Sequence, residues 1–200
     1  MKIIVIGATG TIGQAVTQRL SSEHEVIRVS RTSGDVHADI ADSASLRALL
    51  ASRVPFDAVV CAAGEAAFGS FAELSDEDFA LGLRSKLMGQ INLVRLGLPH
   101  IADDGSFTLI SGVLSQHPVP GSASISMVNA AVEAFARAAA LELPRGLRIN
   151  VVSPPWVRET LEAMGRDPSP GVPASAVARA YAASVEGDMS GQVLDPREYA

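Results

Sequence analysis

The chain opens on an unbroken apolar run. Ile3, Ile4, Val5 and Ile6 are consecutive and lead straight into Gly7. A short apolar run that ends at a glycine predicts a strand buried on both faces. The period then changes. Ile12, Ala15, Val16 and Leu20 recur at helical spacing and share one face. This alternation repeats almost to the end. Strands are expected at 2–7, 25–30, 58–61, 106–111, 148–152 and 192–194. Helices are expected at 11–21, 43–51, 76–98, 122–143, 159–164 and 174–185. Ser75 before Asp76-Glu77-Asp78 places a hydroxyl acceptor and carboxylates at the positive end of the long central helix. Pro144 to Gly146 ends the next long helix, and Pro173 precedes the last one. Strands alternating with helices predict an α/β protein, a doubly wound parallel sheet with helices on both faces. No internal repeat is visible. The loop-like stretch 165–172, GRDPSPGV, is too short to separate domains and reads as a flap. The expectation is one domain over 1–200.

Composition narrows the function classes. Hydrophobic residues are 48% of the chain and aromatics only 4%, which suits helices packed closely on a parallel sheet. The net charge of −6 and the lack of a Lys/Arg run speak against nucleic acid as a partner. Cys61 is the one cysteine, so no internal disulfide forms, in keeping with a reducing cytoplasm. No apolar stretch approaches the roughly 20 residues of a membrane span. The N-terminus lacks the layout of a signal peptide, because its strand runs directly into glycines. The expected location is the cytoplasm, with no membrane partner.

Chemistry enters at the first turn. Gly7, Gly10 and Gly13 stand between a strand and a helix. That order holds a dinucleotide pyrophosphate against a helix N-terminus. One glycine makes the turn, one lets the backbone approach the phosphates, and one lets helix and strand lie close. Thr9, Thr11 and Ile12 complete the loop. The second strand, EVIRVS, ends at Ser30, and Arg31 follows. An acidic residue at this place would bind the ribose hydroxyls of NAD, whereas a basic residue receives the 2′-phosphate of NADP. No carboxylate stands between Glu25 and Asp35, and Ser30, Arg31, Thr32 and Ser33 read as a phosphate cradle. The cofactor expected is NADP(H). Asp39-Ile40 follows a short extended piece, and Cys61-Ala62-Ala63-Gly64 ends the fourth strand with small residues that let a backbone lie beside an adenosine ribose.

These pieces resemble the short-chain dehydrogenase/reductase (SDR) family. They are GATGTIG, Arg31, ADI at 38–40, CAAG at 61–64 and ALELPRGLRINVVSPPWV at 140–157. The resemblance covers nearly the whole chain and implies a Rossmann-type fold. It also exposes a departure. An orthodox member carries Tyr-x-x-x-Lys on the helix that begins near Ser122, where this chain has Ile125 and Asn129. The family's serine falls at Ser111 or Gly112, and its asparagine at Lys86. Lysine and asparagine are thus exchanged between neighbouring helices. The resemblance implies that Lys86 and Asn129 lie near the nicotinamide ribose, Lys86 lowering the pKa of a hydroxyl and Asn129 hydrogen-bonding the ribose. Both could equally be drifted positions. Pro154-Pro155-Trp156 stands where the family has Pro-Gly, so Pro154, Trp156 and Val157 are expected to flank the nicotinamide. His117, in the loop after the fifth strand, is the one histidine placed to act as an acid or base there.

Two functions follow. The first is an NADP(H)-dependent oxidoreductase that acts on a small carbonyl or alcohol, with Ser111, Lys86 and Asn129 as the catalytic set. The second is an NADP(H)-binding sensor, scaffold or non-redox enzyme. The family commonly pairs through its two long central helices, so a homodimer or homotetramer is expected.

Overall fold

Seven parallel strands stack in the order β3-β2-β1-β4-β5-β6-β7 in the computed structural model, which describes residues 1–200. They are β1 (Lys2–Ile6), β2 (Glu25–Ser30), β3 (Val36–His37), β4 (Phe56–Cys61), β5 (Ile101–Ile110), β6 (Arg148–Val152) and β7 (Val193–Leu194). The chain runs outward from β1 through β2 to β3, then crosses back to place β4 on the other side. That reversal opens a crevice at the carboxyl ends of β1 and β4, where ligands of such sheets lie.

Helices cover both faces. The core cluster containing Ile4, Leu46, Leu93 and Val132 lies under α2 (Ser43–Ser52), α4 (Gly89–Gly97) and α5 (Ala123–Ala139). The cluster containing Ile3, Val5, Val16 and Tyr181 lies under α1 (Thr11–Leu20) and α7 (Ala174–Glu186). Alternate residues of β1 feed opposite clusters, as the period of two requires. The long central helix is not uniform. Its first turns, α3 (Asp76–Leu81), carry the expected capping box, Ser75 and Asp78 satisfying each other's backbone amides. A π-helical stretch, Gly82–Met88, separates α3 from α4 and buries Gly82, Ser85 and Lys86. Such wide turns often mark functional positions. The α5 helix stops short of residue 143. Its last residues tighten, with Leu141 and Glu142 donating to carbonyls three residues back, and Leu143 precedes Pro144, which disfavours the helical region. A short helix, α6 (Arg158–Ala163), follows β6.

Candidate active site

The crevice is a cleft of about 480 Å³. Gly7, Thr9 and Gly10 line its floor, Ser30, Arg31, Thr32, Asp39 and Ile40 one wall, and Ala62, Ala63 and Gly64 the other. The glycines divide their work as expected. Gly7 has a φ of +81°, and a Cβ there would lie 2.7 Å from the Ala62 carbonyl oxygen. A Cβ on Gly13 would lie 1.9 Å from the Gly7 carbonyl oxygen, so Gly13 serves helix–strand contact and faces the loop. Gly10 caps α1 without any side-chain hydrogen bond, which leaves the first amides of the helix facing the cleft end. The fit to a dinucleotide rests on this uncapped helix start above a glycine turn.

Several expected residues stand elsewhere or are otherwise engaged. Thr11 borders a neighbouring shallow groove of about 550 Å³, together with Gln14 and Glu159. Ile12 packs against the α1–α7 core. The Cys61 thiol turns into the opposite core and donates to the Ala63 carbonyl at 3.3 Å, and burial pushes its pKa up to about 12. The Ser30 hydroxyl is held within its own turn by the Ser33 backbone, so it is not a free donor. Val157 is 5% exposed and sits in the core, while Trp156 turns outward at 40% exposure, 6.0 Å below the Arg166 guanidinium. A strand-like bridge causes this. Val157 pairs with Val172, and pairing of this kind sends consecutive side chains to opposite sides. Pro154 is buried, and its carbonyl accepts from the Val113 amide. His117 lines a separate polar hollow of about 160 Å³ with Gln116, Ser153, Asp195 and Arg197.

Lys86 and Asn129 each reach a backbone carbonyl just after β5. The Lys86 ammonium donates to the Ser111 carbonyl at 3.3 Å, and the Asn129 amide donates to the adjacent Gly112 carbonyl at 3.4 Å. Both side chains are buried, and Asn129 Oδ1 has no partner. An orphan buried acceptor is costly. Burial lowers the pKa of the Lys86 ammonium to about 8. Gly64 makes room for its stem, since a Cβ there would lie 3.0 Å from Lys86 Cα. Gln90 fixes the scaffold, its amide exchanging hydrogen bonds with the Ile110 backbone at 2.8 and 2.9 Å.

The Ser111 hydroxyl is already engaged. It donates to Glu133 Oε1 at 2.8 Å. Glu133 is a residue that the sequence pattern did not single out. It lies one helical turn beyond Asn129 and also accepts from Ser115 at 2.6 Å and Ser153 at 3.3 Å. One carboxylate thus ties the end of β5, the loop after it and the segment after β6. A carboxylate on the buried face of α5, which also carries Val128, Val132 and Ala136, was the available signal. Glu133→Leu should strip three hydroxyls of their acceptor and cost about 1–3 kcal/mol, read as a lower urea midpoint. Unchanged stability would mean that the serines find other partners.

No tyrosine approaches this place. The Tyr181 hydroxyl donates to the Cys61 carbonyl at 2.6 Å from the α1–α7 side of the sheet, and Tyr199 packs against the same side. No helix is long and apolar enough to cross a membrane.

Comparison with known proteins agrees with this fold. A family described as enoyl-(acyl carrier protein) reductase, a short-chain dehydrogenase group, matches residues 4–186. The chain belongs to the short-chain dehydrogenase/reductase family, a family of oxidoreductases. In solved structures it is similar to the protein lin1944 from Listeria innocua, at a TM-score of 0.93, 44% identity and 98% coverage of both chains. It also resembles a small-chain dehydrogenase in complex with NADPH, at a TM-score of 0.86 and 28% identity, over 98% of this chain and 95% of that one. Oxidoreductase UcpA of Salmonella typhimurium is 28% identical over 149 residues, 70% of this chain and 57% of that protein. An uncharacterised oxidoreductase of Methylorubrum extorquens is 26% identical over 178 residues, 77% of this chain and 72% of that protein.

Proposed function

We propose that the protein is an NADP(H)-dependent reductase of a small carbonyl, or dehydrogenase of the corresponding alcohol, with Lys86 in place of the family's tyrosine as the proton donor. The observation that carries this reading is that Lys86 and Asn129 donate to consecutive carbonyls after β5, with Asn129 Oδ1 left unsatisfied. Gly7, Gly10 and the start of α1 would hold the pyrophosphate, Arg31 the 2′-phosphate, and Asn129 a ribose hydroxyl. A bound nicotinamide supplies or accepts the hydride. Lys86 would then hold the proton that a reduced carbonyl oxygen needs, and Glu133 keeps the Ser111–Gly112 segment in place through Ser111. The similar structure solved with NADPH supports the choice of cofactor.

Consumption of NADPH against a panel of aldehydes and ketones tests this function. Arg31→Ala should weaken NADPH about ten- to hundredfold, the loss of a charged hydrogen bond worth about 1.5–3 kcal/mol, and leave NADH within a few-fold. Equal weakening of both cofactors would remove Arg31 from the phosphate site.

One observation favours a second reading. Ile125 stands on α5 where a tyrosine would donate, and both tyrosines lie across the sheet. A protein that binds NADPH and reduces nothing in the panel would be a sensor, a scaffold or a non-redox enzyme on the same frame. For assembly, we read the exposed Leu83, Met88 and Met127 along the central helices as the face of a homodimer or homotetramer.

A further inference from the structure

The carboxylate that the second strand lacks is supplied by the fourth. Glu65 follows Gly64, and its Oε1 lies 2.6 Å from the Arg31 guanidinium. The strands β2 and β4 flank β1, and both residues line the same cleft, so the ion pair joins its two walls. Glu65 is fixed from behind, its amide donating to the buried Ser85 hydroxyl at 3.0 Å. Arg31 has no other carboxylate partner, because the nearby Asp35 is taken by Arg28 at 2.7 Å.

We propose that Glu65 is a specificity-determining residue of the cleft, whose carboxylate competes with a ribose 2′-phosphate for Arg31 and so sets how strongly the protein prefers the phosphorylated cofactor. The proposal rests on the reading of Arg31 as the phosphate partner. A 2′-phosphate that reaches Arg31 brings a dianion beside Glu65, so the pair must open for it. The pair is exchangeable, because its side chains are 61% and 50% exposed and such pairs are weak and screened by salt. An adenosine without the phosphate leaves the pair closed. The chain therefore holds its phosphate-binding arginine in place without cofactor, and lowers its own preference for NADP(H) in doing so.

Calorimetric titration of the intact protein with 2′,5′-ADP and with 5′-AMP tests this. Four proteins are compared at low and high salt: wild type, Glu65→Gln, Arg31→Ala and the double variant. Glu65→Gln should tighten 2′,5′-ADP roughly two- to fivefold at low salt and leave 5′-AMP within about twofold. The gain should shrink at high salt and vanish in the Arg31→Ala background. No gain from Glu65→Gln, or an equal gain without Arg31, would overturn the proposal. The two readings separate cleanly. If Arg31→Ala does not weaken 2′,5′-ADP, the phosphate assignment itself falls, and the competition falls with it. If Arg31→Ala weakens it and Glu65→Gln changes nothing, only the competition is lost.

Discussion

Lys86→Met is expected to lower carbonyl reduction by about 10²–10⁴-fold, the usual worth of a positioned acid, while NADPH affinity stays within a few-fold. The lysine is buried, yet its ammonium finds only one carbonyl, at 3.3 Å. Burial disfavours the charged form and lowers its pKa to about 8, so it gives up a proton readily near neutral pH. The turnover of reduction should therefore fall as pH rises through about 8, where the donor loses its proton, and the methionine variant should lack that limb. Stability carries the opposite sign. The folded pKa lies below the unfolded one, so the unfolded chain binds more protons between them, and the contribution of Lys86 to stability rises from about pH 8 to its ordinary value of 10.5. Lys86→Met should remove that rise in urea melts. Full activity in the variant would show that the proton comes from elsewhere, with His117 the next residue to test.

Gly13→Ala is expected to break the cofactor cleft. The added methyl would stand 1.9 Å from the Gly7 carbonyl oxygen and 2.9 Å from Ala8 Cα, and neither is the end of a flexible side chain. The start of α1 must then lift from β1, at a cost of about 1–3 kcal/mol, and NADPH binding should go with it. Gly10→Ala makes the contrast. Its methyl meets nothing closer than 3.6 Å, so stability should change by less than about 1 kcal/mol, and any loss should fall on binding. Thermal unfolding alongside NADPH titration separates the two. Equal, small effects at both positions would mean that the glycine turn is not what shapes the site.

What could be read along the chain was what is local in it. The strand, glycine turn and helix at the start are neighbours in sequence, and their periods and spacing announce them. The exchange of Lys86 and Asn129 was legible only through the family resemblance, because the two residues are 43 positions apart by their numbers and reach consecutive carbonyls through tertiary packing. Glu133 escaped because its partners, Ser111, Ser115 and Ser153, come from segments on both sides of it. Glu65 escaped for the same reason, since the absence of a carboxylate after β2 says nothing of one delivered from β4. The π-helical turn leaves no mark on an apolar pattern. Which way Trp156 turns is not written in the local pattern, because a single bridge, Val157 to Val172, decides which of two adjacent side chains faces inward.

The central claim is that the crevice between β1, β2 and β4 is a site for NADP(H). Its most direct test is calorimetric titration of the wild-type protein with NADPH and NADH under one buffer. NADPH should bind about ten- to hundredfold more tightly, with the difference carried by Arg31. Equal affinity for the two, or binding of neither, would contradict it.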